Sequence, residues 1–225
     1  MWTISKLDNE FITRMENLLD LYERQYNPRE PVVCLDERPL QLLGDVRKRI
    51  PARPGQEARY DYEYFRNGTV NVFCTVEPLA GKHFTKVTPD RGGLQFALMM
   101  RDVANRYPRA DTIHLVLDNL NTHQQKFLIE HLGPKRGARL WKRFTIHYTP
   151  KHGSWLNQAE IEISLFNRLC MGRRRIHVIW DLLRDVEAWD CYANENRIKI
   201  NWRFTTKKAR EKFDYESLAS TRSED

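Results

Sequence analysis

Two segments share one form, Val32-Val33-Cys34-Leu35-Asp36-Glu37 and His114-Leu115-Val116-Leu117-Asp118-Asn119. In each, a short apolar run passes straight into an aspartate. Such runs, rich in β-branched residues and bounded by polar ones, read as strands buried on both faces. An isolated charge at the end of a buried strand is expensive to desolvate. Each aspartate is therefore a helix cap, an ion-pair partner or a metal ligand. Asp118 has a helical pattern soon after it that it can cap. Asp36 runs into Arg38-Pro39-Leu40-Gln41, which continues extended, so a surface pair with Arg38 is its plain alternative. If the two strands lie side by side, both carboxylates emerge at one sheet edge, and two like charges there call for a counter-charge. A divalent cation supplies it, and all-oxygen ligands favour magnesium or manganese over zinc. Two such ions about 4 Å apart clamp the attacking and leaving oxygens of a phosphodiester.

A third carboxylate completes such a site. The loop Tyr148-Thr149-Pro150-Lys151-His152-Gly153 enters a helical pattern that carries Glu160 and Glu162. Two positions on a helix are about 200° apart, so both cannot face one ion. Either is otherwise an ordinary exposed helix glutamate, and spacing does not choose between them. Glu37 follows Asp36 directly and points to the opposite sheet face, so it is set aside.

The remaining elements follow from periodicity. Phe11, Met15, Leu18, Leu19 and Tyr22 make one apolar stripe, predicting a helix over residues 8–24. Residues 44–58 are polar and rich in Pro and Gly, predicting a loop. Tyr60, Tyr62 and Tyr64 alternate with polar residues. Asn67-Gly68 then precedes Val70–Phe73, the pattern of a β-hairpin turn. A further strand covers 83–87. Helices are expected over 92–107, 123–132, 154–171 and 178–194, with a strand over 144–147, a turn at Gly172-Arg173-Arg174-Arg175, and a polar, mobile segment from Thr205 onward. Strands first and alternating helix–strand units after predict a mixed α/β sheet with helices packed on it.

Composition narrows the partners. With 37 Lys and Arg against 30 Asp and Glu, the chain carries +7. No acid lies between Glu130 and Glu160, a stretch holding Lys135, Arg136, Arg139, Lys142, Arg143 and Lys151. A second basic cluster runs from Lys199 to Lys212. Several cations on one surface suit a phosphate backbone, and a solvated basic face is the alternative. No apolar run is long enough to span a membrane, and no secretory signal is visible. Cys34, Cys74, Cys170 and Cys191 form no paired spacing and read as reduced thiols of a cytoplasmic protein, with no zinc site.

Together, Val32–Glu37, Leu115–His123 (LVLDNLNTH) and Tyr148–Glu162 (YTPKHGSWLNQAEIE) resemble the catalytic half of the mariner-like DDE transposases, in particular their bacterial insertion-sequence branch. Leu156-Asn157-Gln158-Ala159-Glu160 matches the family's third motif, so the resemblance selects Glu160 over Glu162. The likeness extends through Arg174-Arg175-Ile176 and Asn201–Thr205. Lys151–Trp155 replaces the family's Ser-Pro stretch, Gln158 replaces its second proline, and the interval from Asp118 to Glu160 is longer than in animal members. The resemblance implies an α/β, RNase H-like mixed sheet with helices on both faces over residues 31–212. An N-terminal helix and lead-in (1–30) precede it, and a mobile tail (213–225) follows.

It further implies Asp36, Asp118 and Glu160 as catalytic, metal-binding residues for two Mg2+ or Mn2+ ions, which cleave DNA at transposon ends and transfer strands into a target. Lys135, Arg136, Lys151, His152 and Asn157 are candidate DNA contacts, Asn119 and His123 candidate supports of the metal shell, and Trp155 a candidate base-stacking ring. A separately encoded helix-turn-helix half and a homodimer are expected partners. The competing reading is a catalytically silent DNA-binding remnant. A phosphatase with an aspartate nucleophile is disfavoured, because Arg38 occupies the place of its second aspartate.

Overall fold

In the computed structural model, which describes residues 7–215 except 49, 60, 61 and 173, the two apolar runs are neighbours. β1 (Val32–Asp45) pairs in parallel with β4 (Ile113–Leu117), Val32, Val33 and Cys34 lying opposite His114, Leu115 and Val116. β1 also pairs antiparallel with β2 (Tyr64–Glu77), and β2 with β3 (Lys82–Thr88). β5 (Phe144–Tyr148) adds in parallel to β4. The five-stranded order is β3-β2-β1-β4-β5, the mixed sheet expected.

Strand alternation sorts the core into two sides. Val33, Leu35, Leu115 and Leu117 point to one face, where they pack on α2 (Gly93–Arg106), α3 (Gln125–Leu132) and α4 (Pro134–Trp141) through Phe96, Met100, Leu128 and Leu140. Cys34 and Val116 point to the other. There they meet Met15, Leu18 and Leu19 of α1 (Asn9–Glu23), and Leu156 and Ala159 at the start of α5 (Ala159–Leu165). A π-helical turn (Phe166–Met171) continues α5, and α6 (Ile179–Glu195) closes this side over Leu40, Val72 and Cys74. All four cysteines are free thiols. Among the described residues no helix is long and apolar enough to cross a membrane.

Three expectations are corrected. Asn67-Gly68 makes no hairpin turn: β2 runs unbroken through it, and the register against β1 shifts by one residue between Gln41 and Leu43. Gly68 sits at φ +95°, a conformation open to glycine, so the dipeptide builds a β-bulge. The segment from Thr205 is not a mobile tail throughout. α7 (Thr206–Phe213) packs on α1, with Ala209 fully buried and Arg210 holding Glu16 at 2.8 Å. Tyr215 hydrogen-bonds Glu16 at 3.1 Å, and residues 216–225 of the expected tail lie outside the described residues. Residues Pro134–Trp141 form α4, an element that periodicity left unassigned because its eight residues interleave three basic side chains with its apolar ones. Tyr60 and Arg173, part of the expected alternation and turn, also lie outside the described residues.

Candidate active site

The β1–β4 register and the alternation rule together explain the site. Continuing two residues past Cys34 and Val116 brings Asp36 and Asp118 level, on the face covered by α5. Glu160 stands on the first turn of that helix.

Asp36 is only 8 % exposed. Its Oδ1 accepts a 2.8 Å hydrogen bond from the Glu37 N–H. Burial pushes its carboxyl up to about 7, and the negative charges of Glu160, Glu37 and Asp118 add to that push. Among these, Glu160 acts most strongly, so the helix glutamate and the strand aspartate are electrostatic neighbours. The carboxyl groups crowd negative charge around Asp36, the condition that a divalent cation relieves; the all-oxygen donor set thus fits a magnesium- or manganese-like ion.

Asp118 behaves oppositely. Burial alone would raise it, but hydrogen bonds from His123 and the Leu120 N–H, with the nearby charge of Arg91, hold it below the usual carboxylate range. His123 Nδ1 lies 2.8 Å from Asp118 Oδ1, and its Nε2 lies 2.6 Å from Glu37 Oε1. The ring is fully buried and leans on Phe96. Burial opposes a charge there, yet the two flanking carboxylates outweigh it and push His123 up to about 10. Both ring nitrogens therefore carry protons and donate, one to each acid. Among the described residues, Glu37, Asp118 and His123 also form a group whose ligand atoms all fall within 4.8 Å of one another. A proton-bearing ring already occupies the space between the two acids, so this trio reads as a clamp on Asp118.

A family profile described as DDE superfamily endonuclease matches residues 31–182. The chain belongs to the DDE superfamily endonucleases. No curated protein matches it. Among solved structures, this DDE endonuclease is similar to the Mos1 mariner paired-end complex with Mn (12 % identity, TM-score 0.56, 88 % of this chain and 61 % of that one). It is also similar to a pre-cleavage Mos1 transpososome (13 % identity, TM-score 0.57, 97 % and 66 %). At such identities the likeness shows the fold, which is RNase H-like as the motifs implied. The chain spans about three fifths of the length of the Mos1 chain that it matches first.

The remaining site residues of the endonuclease fall into place less uniformly. Asn157 is not a surface contact: it is fully buried, donating to the Leu35 carbonyl at 2.9 Å and accepting from the Ala159 N–H at 3.1 Å. It ties β1 to the start of α5. Lys151 and His152 are exposed, and His152 takes φ +59° in the loop before α5. Lys135 and Arg136 are exposed on α4, on the opposite side of the sheet from α5. Asn119 ties the strand ends together, donating to the Thr149 carbonyl at 2.5 Å and accepting from Arg14 at 2.8 Å. Trp155 packs edge-on against Phe204.

Glu162 is the residue that the sequence placed least well. It is fully buried, not an exposed helix glutamate, with Oε2 at 2.7 Å from His83 Nδ1 and Oε1 accepting from the Trp189 indole at 2.7 Å. Glu37 was rightly assigned to the far face, but the His123 ring spans from that face to Asp118. A ring's reach across a strand end leaves no periodic trace in a sequence.

Proposed function

We propose that this chain is the catalytic domain of a DDE transposase, acting on DNA at transposon ends. The observation that carries this reading is the electrostatic convergence of Glu160 and Asp118 on a buried Asp36, where β4 ends beside the running strand β1. Family membership and the fold shared with Mos1 support it. Asp36, Asp118 and Glu160 are the proposed ligands of two Mg2+ or Mn2+ ions. Such ions, when bound, lower the pKa of an attacking water and stabilise a leaving oxygen.

The chain's own residues do the rest. Asp36 presents oxygens from within β1 and Asp118 from just past the end of β4, Glu160 reaches in from α5, His123 and Glu37 fix Asp118, and Asn157 fixes the helix. His152 and Lys151, exposed on the loop before α5, are proposed to contact DNA phosphates. Hydrolysis frees a 3′-hydroxyl that then attacks target DNA. Assembly of two copies on paired ends, a separately encoded DNA-binding half and a cytoplasmic, bacterial setting complete the proposal; the Mos1 paired-end complexes support the first.

The test is nicking of supercoiled plasmid by the purified chain in Mn2+ and in Mg2+. Asp36→Asn, near-isosteric, is expected to reduce nicking to background while duplex binding persists. Equal nicking by both proteins removes the activity from this site, and nicking by neither leaves a DNA-binding remnant; either result overturns the reading.

A further inference from the structure

A second charged feature lies on the other side of the sheet, away from the carboxylates. α2 and α4 leave between them a cleft of about 530 Å3. Its walls are two helical stripes, joined by His131 and Leu132 at the end of α3. Arg136, Arg139, Leu140 and Arg143 recur at i, i+3, i+4 and i+7 along α4 and its C-terminal turn, and Arg101, Ala104 and Asn105 recur at i, i+3 and i+4 on α2. Four guanidinium groups thus share one space. No acid lines it. Asp102 is turned to Lys86 and Arg101, and Glu130 neighbours His131. Arg143 is anchored by its hydrogen bond to the Tyr107 carbonyl at 2.6 Å. Arg136 and Arg139 are exposed, and neither is engaged in any ion pair or hydrogen bond found among the described residues.

Spacing says what kind of anion fits. Along α4, Arg136, Arg139 and Arg143 are about 4.5 and 6 Å apart in rise, a row of roughly 10 Å. A compact free phosphate is best held by donors that converge on a point. A row suits a polymer, and one strand of a duplex presents a phosphate about every 3.4 Å along its axis. Lys135 and Lys142, both exposed on the same helix and its end, extend the positive strip beyond the cleft.

We infer that the α2–α4 cleft is a second DNA-backbone site, holding a duplex segment other than the one at Asp36, Asp118 and Glu160. The identity of the polyanion as DNA rests on the transposase reading; the cleft and its charge do not. Because α4 and α5 cover opposite faces of the sheet, a duplex engaging both passes round the β5 edge, and the cleft holds the DNA flanking the cleaved position.

The experiment is a salt titration of full-chain binding to a labelled 40-base-pair duplex in EDTA, where no cleavage occurs. Each phosphate contact contributes about 0.9 to the slope of log K against log salt. Arg136→Ser/Arg139→Ser is expected to lower that slope by about 1.8, and Arg136→Glu/Arg139→Glu to weaken binding further. Both positions are exposed, and equal thermal melting checks the fold. An unchanged slope in folded variants overturns the inference. So does tight binding of tripolyphosphate to the wild type that these substitutions abolish while duplex binding stays the same, since the cleft would then serve a free polyphosphate. The two readings fail separately. Asp36→Asn nicking like wild type sinks the transposase reading with the slope change intact, whereas a silent Asp36→Asn with an unmoved slope sinks only the cleft.

Discussion

Glu160 and Glu162 stand two positions apart on α5 and should respond to truncation in opposite ways. The Glu162 carboxylate is sealed from solvent, with both oxygens spoken for at 2.7 Å by His83 and the Trp189 indole. His83 is itself held by the Ile198 carbonyl at 2.7 Å, so one acid joins α5 to β3, α6 and the chain beyond it. Glu162→Ala leaves the ring and the indole facing a void with no acceptor. Removing one member of a buried pair costs about 3–5 kcal/mol. For a chain of this size each kcal/mol moves the melting point by about 2–4 °C, so the expected fall is roughly 6–20 °C. Glu160 is exposed, and its truncation should stay within about 0.5 kcal/mol of wild type while abolishing nicking. Thermal melting by circular dichroism, run beside the nicking assay, reads both. A Glu162→Ala protein that melts within 2 °C of wild type (a limit of roughly 1 kcal/mol), or a Glu160→Ala protein that loses as much stability, refutes the assignment of the two glutamates.

Gly137 faces the Leu128 carbonyl so closely that an added Cβ would sit 2.4 Å from that backbone oxygen. Gly137→Ala should therefore destabilise by about 1–3 kcal/mol in urea denaturation, against the gain that alanine usually gives inside a helix. His147 is pushed down to about 4, by burial first and then by the charges of His114 and Arg24. The folded ring stays neutral while the unfolded one takes a proton below about 6.5, so stability should fall as pH drops from about 6.5 toward 4. His147→Gln should flatten that limb in unfolding free energies measured across the range.

The parts most legible in the sequence are those where apolar residues alone dictate the element. β4 begins and ends where its apolar run does, and α1 follows its stripe to within a residue or two. Asn67-Gly68 misled because the same backbone freedom serves a bulge as well as a turn, and only the pairing of β2 with β1 on both sides decides which. α7 was hidden because it contributes a single fully buried residue, Ala209, and docks through Arg210 and Glu16, a contact nearly the whole chain apart in sequence. At the site, Asp36 and Asp118 stood out because a charge directly after a buried apolar run is anomalous, although only Asp118 follows the last residue of its strand and β1 runs on through Asp36 to Asp45. The roles of Glu162, Glu37 and Asn157 did not stand out, because they depend on partners brought in from β3, the 118–123 loop and Leu35 within β1.

The clamp on Asp118 has a thermodynamic corollary. Its carboxylate is oriented by His123 and the Leu120 N–H, as that of Asp36 is by the Glu37 N–H, before any cation arrives. Those two side chains surrendered their rotational freedom when the chain folded. Exposed Glu160 still has its own to lose, up to about 1.5–2 kcal/mol for a fully immobilised glutamate. On the proposed ligand assignment, loading the site is thus, in entropic terms, the capture of one swinging arm by two fixed posts.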